Sequence, residues 1–164
     1  MDKKLAHILV ALAAIVLLAG CNSSYTPPEE SQYKKDNDAF VENAVANGYT
    51  ELYFLTAEYP IYYKVIKKHE GENALYPYQG SKVKIELSGQ LISKEFFQKK
   101  SLMPVQVNKL VLGMQYALQS MNVGDTWEVV VPYQLGYGAY NNGYTIPAYS
   151  TLIFNVTLLE ILQQ

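Results

Sequence analysis

The sequence predicts an α+β fold in which one short helix packs against an antiparallel β-sheet. Between residues 110 and 121, apolar side chains recur at steps of three and four, which is typical of a helix with one apolar face. Residues 126–131 are rich in β-branched side chains, and residues 152–159 alternate in the period of a strand. Because a helix of this kind must bury its apolar face against another layer, the helix and the strands are expected to form one core.

The beginning of the chain predicts export. Lys3 and Lys4 precede an apolar run over residues 8–18, and the sequence L-A-G-C then ends at Cys21. This order is typical of a lipoprotein signal peptide over residues 1–20, with Cys21 as the lipidated N-terminus of the mature chain. The alternative is an ordinary secretory signal that leaves Cys21 as a free thiol.

Between the signal and the main domain, the sequence predicts a tether and a small appendage. Residues 21–35 are polar and contain two prolines, so we expect a flexible tether. Residues 36–58 are interpreted as a helix capped by Asp38 and stopped by Gly48, followed by a strand. The main domain is predicted to occupy residues 59–164.

Several short segments are typical of strands. Residues 51–55 and 62–66 are rich in aromatic and branched side chains, and residues 82–91 alternate between apolar and polar. Residues 122–125 contain Asn, Gly and Asp and predict the turn after the helix. The buried face of the 82–91 strand is predicted to carry Val83, Ile85, Leu87 and Gly89.

Composition and charge exclude several classes of function. The formal net charge is −2 and no basic run is present, so a nucleic-acid partner is not expected. The single cysteine cannot form an internal disulfide. His69 lies in a polar stretch and is interpreted as a solvated loop residue, so neither a metal site nor a cofactor is predicted. Glu70, Glu72 and Glu95 are interpreted as exposed, solubilising charges, and no hydrolase nucleophile signature is present.

Four motifs in the C-terminal half resemble those of the FKBP-type peptidyl-prolyl cis-trans isomerases. That family has a V-I-x-G-W helix start, an M-x-V-G turn, a Y-G loop and an I-P-x-x-S/T-L-x-F-x-V-x-L-L closing strand. The matching positions here are residues 110–113, 121–124, 137–138 and 146–159. The resemblance implies an FKBP-like domain, with an antiparallel sheet half-wrapped around a short α-helix and an extra N-terminal helix.

The resemblance also implies a substrate pocket. The Tyr137 hydroxyl and the Val111 N–H correspond to the two donors that orient substrate carbonyls in the family. An alternative is that the apolar members are simply core residues and that Tyr137 is a surface aromatic. The implied catalytic set is Tyr137, Val111, Phe154 and Phe97, and the implied substrate-binding set is Leu110, Met114, Ile146, Leu87 and Gln98.

Three implied pocket positions depart from the family pattern. Leu87 stands where the family usually has tyrosine, Gln98 replaces an aspartate, and Met114 replaces a tryptophan. Methionine is flexible and less rigidly shaped than tryptophan. These departures predict weak or narrow activity, and they leave open a non-catalytic module that binds unfolded chains or an envelope partner.

The resemblance and the signal together imply a lipid-anchored isomerase that assists the folding of exported proteins. Its expected partners are proline-containing or unfolded polypeptides, the membrane through Cys21, and macrolide-type ligands of the family. The expected location is the bacterial cell envelope, on an outer membrane and facing either the periplasm or the cell surface.

Overall fold

The computed structural model describes residues 31–55, 57–71 and 74–164. The predicted signal peptide, Cys21 and the first part of the predicted tether lie outside these residues. No helix of the described segments is both long and apolar enough to cross a membrane. The helices and strands are α1 (Gln32–Glu42), β1 (Thr50–Leu52), β2 (Ile61–Lys67), β3 (Lys82–Leu91), β4 (Phe96–Gln106), α2 (Leu112–Ser120), β5 (Thr126–Val131) and β6 (Leu152–Gln163).

The strands form one six-stranded antiparallel sheet in the order β1-β2-β5-β6-β3-β4. The predicted α+β fold class, with an antiparallel sheet around a short helix, is confirmed. The long strands β3 and β6 lie side by side within the sheet, and β4 forms one edge. In their register, Gly89 of β3 lies opposite Phe154 of β6 and Gln98 of β4.

Helix α2 packs closely on the sheet. Met114, Ala117 and Leu118 face the core and are almost completely buried. Gly113 brings the helix backbone against β5, because a Cβ built there would lie 2.5 Å from a methyl carbon of Val131. The predicted helix with one apolar face is therefore present, although it begins at Leu112 rather than at Leu110.

The two residues before α2 depart from the predicted helix for a local reason. A 3-10 turn at Val107–Lys109 is followed by extended backbone at Leu110 and Val111, with ψ angles of 165° and 149°. Strand β4 has no counterpart among the predicted strands, because its polar and apolar residues do not alternate and because it contains Pro104. An edge strand tolerates proline, since one side of its backbone forms no ladder.

Helix α1 corrects the prediction for the N-terminal region. It begins at Gln32, so it overlaps the predicted tether of residues 21–35 by four residues. Ser31 is its cap, with its hydroxyl accepting the Lys34 N–H at 3.2 Å. Asp38 is not the cap and instead forms an ion pair with Lys34 within the helix. Gly48 does adopt a positive φ of 84° after the helix, as a stop residue often does.

The strands at the beginning of the sheet differ in length from the prediction. Strand β1 is shorter than the predicted strand over residues 51–55, and β2 extends by one residue at each end of the predicted 62–66. Strand β3 has the predicted bounds, and its apolar residues alternate into the core as expected.

Helix α1 is joined to the domain by a buried polar contact. Asn37 is completely buried, and its Oδ1 accepts the Thr151 N–H at 2.7 Å. Its Nδ2 donates to the Tyr33 carbonyl at 2.8 Å, and the Tyr33 hydroxyl lies 2.7 Å from the Ser150 Oγ. These bonds fasten the helix to the residues immediately before β6.

Candidate functional site

A cavity of about 480 Å³ opens between the beginning of α2, strands β3 and β4, and the loop between β5 and β6. All nine residues that the resemblance assigns to a pocket line it, although they come from five separate parts of the chain. The complete lining is Leu87, Phe97, Gln98, Met103, Lys109, Leu110, Val111, Met114, Tyr137, Asn142, Thr145, Ile146 and Phe154.

The inner end of the cavity is buried and apolar. Leu87, Met114 and Phe154 are each no more than 5% exposed, so they belong to the domain core as well as to the cavity wall. The ring of Phe97 meets that of Phe154 edge to face, with centroids 5.5 Å apart and planes at 84°. This is a preferred geometry for two aromatic rings, and it fixes the orientation of this wall.

A glycine makes room for the pair of rings. Gly89 lies on β3 between the strands that carry Phe97 and Phe154. A Cβ at this position would lie 2.4 Å from the Phe97 ring and 3.1 Å from the Phe154 ring. The absence of a side chain at Gly89 therefore sets where Phe97 can sit.

Val111 presents a backbone donor at the edge of the cavity. It is the cap residue of α2, and its carbonyl accepts the N–H groups of Met114 and Gln115 at 2.9 and 3.1 Å. Within the described residues, no acceptor takes the N–H of Val111 itself. The first N–H groups of a helix have no partner inside the helix, which makes this donor available to a ligand carbonyl.

Tyr137 provides a second donor at the cavity. Its side chain is 40% exposed, and its hydroxyl has no hydrogen-bond partner among the described residues. The loop that carries it is closed by backbone bonds from Tyr149 to Gly138 and from Asn142 to Ile146, both 2.9 Å long. Gly138 adopts a φ of 72°, which favours glycine at this turn.

The polar part of the lining is almost uncharged. The Gln98 Nε2 donates to the Lys99 carbonyl and to the Ser101 Oγ, both at 3.0 Å, so this amide is occupied within its own strand. Lys109 is the one lining residue that carries a formal charge.

Sequence reasoning missed Met103, Lys109 and Thr145 as lining residues. The burial of residues 101–105 alternates in the structure, but their sequence, Ser-Leu-Met-Pro-Val, does not alternate between polar and apolar, so it gave no signal for Met103. Asn142 also lines the cavity.

The surroundings of His69 correct the prediction of a solvated loop residue. His69 is half-buried, and its side chain packs against Gly124. Its backbone N–H donates to Asp125 Oδ1 at 2.7 Å, and the other carboxylate oxygen of Asp125 accepts the Asn122 N–H at 2.9 Å. Asp125 thus closes the predicted turn of residues 122–125. Among the residues described, no three His, Cys, Asp or Glu side chains form a group that could hold a metal ion.

The clearest shift in pKa lies outside the cavity. The Tyr49 hydroxyl donates to Glu128 Oε1 at 2.6 Å. Burial, together with the hydrogen bond and the charge of Glu128, raises the pKa of Tyr49 well above its usual range. Burial also raises the pKa of Tyr62, with a further contribution from Glu51. Both groups belong to the part of the sheet near β1 and β2.

Comparison with known proteins identifies the family. Residues 74–159 match the family model for the FKBP-type peptidyl-prolyl cis-trans isomerases. The chain belongs to this family. This FKBP-type chain is 38% identical, over 98 residues, to the FKBP-type 22 kDa peptidyl-prolyl cis-trans isomerase of Escherichia coli, covering 57% of this chain and 47% of that protein. It is 36% identical, over 103 residues, to the outer membrane protein MIP of Legionella longbeachae, covering 60% of this chain and 43% of that protein.

Solved structures of the family share the fold of this FKBP-type chain. A peptidyl-prolyl cis-trans isomerase from Pseudomonas syringae matches with a TM-score of 0.71 and 24% identity, over 86% of this chain and 99% of the other. FkpA from Escherichia coli matches with a TM-score of 0.67 and 23% identity, over 99% of this chain and 74% of the other. The chain spans less than half the length of the two curated relatives above.

Proposed function

We propose that the protein is a peptidyl-prolyl cis-trans isomerase that acts on proline-containing segments of polypeptides. The observation that carries this proposal is the form of the cavity. Its walls are mainly aromatic and aliphatic, and two unoccupied donors, the Val111 N–H and the Tyr137 hydroxyl, lie at its edge. Family membership supports the same activity.

The reaction makes few chemical demands. Rotation about an X–Pro bond has a barrier of about 18–20 kcal/mol, because the planar amide loses its resonance when it twists. No nucleophile, metal or proton transfer is needed. A site lowers the barrier when it removes water from the amide and binds the twisted form more tightly than either planar form.

Different lining residues are assigned to the exclusion of water and to the positioning of the substrate. Phe97, Phe154 and Met114 enclose the proline ring and exclude water from the amide. The Val111 N–H and the Tyr137 hydroxyl each donate to a substrate carbonyl, so the chain on either side of the rotating bond is held in place.

The departures from the family pattern support a weak or narrow isomerase. Met114 is fully buried but flexible, and it replaces the flat, rigid floor that a tryptophan provides. Leu87 adds an apolar side chain where a tyrosine hydroxyl is usual. Gln98 keeps its amide bonded to its own strand and carries no charge, so a carboxylate is absent at this wall.

A second candidate function is a binding module of the same fold, which holds unfolded chains or an envelope partner without appreciable catalysis. The same three departures favour it. Two exposed aromatic residues near the cavity rim favour it as well, because Tyr140 is 80% exposed and Tyr144 is fully exposed. Aromatic side chains of this kind provide contact area for unfolded chains.

We further propose that Cys21 is lipidated and anchors the protein to the bacterial cell envelope, on an outer membrane. The L-A-G-C sequence supports this, and one relative is named an outer membrane protein. Folding of exported proteins is then the expected role, and macrolide-type ligands are expected to compete for the cavity. Mass spectrometry of the N-terminal peptide tests the anchor, since Cys21→Ser should abolish acylation and release the protein from membranes.

A protease-free isomerisation assay tests the activity. The substrates are a proline peptide and an unfolded protein whose refolding is limited by proline isomerisation. Tyr137→Phe and Phe154→Leu should lower the rate, whereas Tyr78→Phe, on an exposed residue that does not line the cavity, should leave it unchanged. Absence of any acceleration, together with retained binding of unfolded chains, would replace the isomerase with the binding module.

A further inference from the structure

The charge on the lining of the cavity suggests a substrate preference. Lys109 is the one charged residue among the thirteen that line the cavity. It is exposed, and in the described part of the chain it forms no ion pair. No carboxylate lines the cavity to neutralise it, because the position on the β4 wall is occupied by Gln98. The cavity mouth therefore carries an unbalanced positive charge.

Lys109 is also well placed to meet a substrate side chain. It ends the 3-10 turn at Val107–Lys109 and lies two residues before Val111. If the Val111 N–H holds a substrate carbonyl, the lysine side chain lies beside the residues that flank the proline. The backbone turn fixes the position of the Lys109 Cα. The flexible four-carbon stem of the lysine side chain lets the ammonium group reach substrates of different shape.

The sign of this local charge differs from that of the whole chain. The formal net charge is −2, so the protein as a whole does not attract acidic peptides. Exposed charges more than about 10 Å apart are largely screened at 0.1 M salt. A preference for acidic substrates can then arise only from a charge close to the bound peptide, and within the cavity lining Lys109 supplies it.

We propose that Lys109 is a specificity-determining residue that makes the cavity prefer proline segments with an acidic side chain next to the proline. This inference rests on the proposed isomerase function and names the substrate class for the same cavity. Lys109 takes no part in bond rotation. It binds the flanking carboxylate, so it acts on the selection of substrate.

Paired peptides that differ only in charge test the proposal. Peptides carrying Glu, Gln or Lys at one position before or after the proline are compared in the isomerisation assay, with the full chain in nonionic detergent. At low salt, kcat/KM for the best Glu peptide should exceed that of its Gln counterpart by about two- to fivefold, as for a single exposed ion pair. The ratio should approach one at high salt.

Variants assign the preference to the lysine. Lys109→Gln should abolish the ratio, and Lys109→Glu should reverse it in favour of the Lys peptide. Lys67→Glu is the matched control, because Lys67 is exposed and lies outside the cavity lining. This substitution changes the net charge by the same amount as Lys109→Glu. It should keep the wild-type ratio. A Glu preference that survives in Lys109→Gln, or that Lys67→Glu removes equally, would overturn the proposal.

The two proposals can fail separately. If isomerisation of no peptide is accelerated, the proposed isomerase function is refuted. The proposed role of Lys109 is then tested by the binding affinities of the same peptides, measured by calorimetry. A Glu-over-Gln ratio in affinity that disappears in Lys109→Gln would support the role of Lys109. Equal affinities for the Glu and Gln peptides would refute it.

Discussion

Replacing Gly89 by alanine should damage the cavity more than it damages the fold. The added Cβ would lie 2.4 Å from the Phe97 ring, and carbon atoms in contact are normally about 3.5–4.0 Å apart. The Phe97 ring must therefore retreat by about 1 Å. Phe97 is only half-buried and can move toward solvent, so the free energy of unfolding should fall by about 1 kcal/mol, at the low end for an overpacked core.

The effect on activity should be larger, since a misplacement of about 1 Å can cost about 10²-fold in rate. The isomerisation assay and urea unfolding measure the two quantities on the same variant. Gly80→Ala is the matched control, because a Cβ there has no atom within 4 Å, and it should change neither quantity. Activity of Gly89→Ala within twofold of the wild type would refute the argument that Gly89 positions Phe97.

A double-mutant cycle of Gly89 and Phe97 tests directly whether the alanine destabilises the fold through the Phe97 ring. In the Phe97→Ala background the nearest obstruction is gone, so Gly89→Ala should have little effect on the free energy of unfolding. Residues in contact commonly couple by about 0.5–3 kcal/mol. Additive effects would show that the alanine acts through something other than the Phe97 ring.

Three further changes have definite expected outcomes. Tyr137→Phe should lower kcat/KM by about two- to tenfold, the effect of one lost hydrogen bond, with unchanged urea unfolding; an unchanged rate would remove Tyr137 from the mechanism. Asn37→Ala should lower the free energy of unfolding by about 1–3 kcal/mol, because it leaves the buried Thr151 N–H without an acceptor, and a loss under 0.5 kcal/mol would contradict that. The raised pKa of Tyr49 stabilises the fold below the usual tyrosine pKa of about 10, and this contribution is lost as the pH rises further. Tyr49→Phe should therefore flatten the decline of stability above pH 10, and an unchanged slope would refute the raised pKa that burial and the bond to Glu128 give Tyr49.

The sequence predicted the interior of the fold better than its edges. Strands β3 and β5 and the apolar face of α2 were recognised because burial imposes a clear period on their residues. Strand β4 was missed, because its polar and apolar residues do not alternate and it contains Pro104, which an edge strand tolerates. The beginning of α1 was misplaced because a local hydrogen bond from the Lys34 N–H to the Ser31 hydroxyl, rather than hydropathy, determines it.

The cavity was predicted through motifs, since no local pattern could have assembled it. Its lining comes from residues as far apart as Leu87 and Phe154, which only the strand register brings together. The resemblance supplied nine of these positions. Lys109 was missed because it precedes the recognised helix-start motif, and Thr145 because it lies in a loop whose course depends on backbone bonds that the sequence does not reveal.

Under the proposed function, the edge strand β4 also affects how a bound substrate is released. An unfolded polypeptide next to the cavity could pair its backbone with an open sheet edge, which is how strands add to sheets and aggregate. Lys99 and Lys100 place charge along β4, and Pro104 removes one donor from it. Backbone pairing along this edge is thereby discouraged, so a bound segment is held by the cavity lining and not by the sheet edge. Such a segment can leave without unzipping a β-ladder.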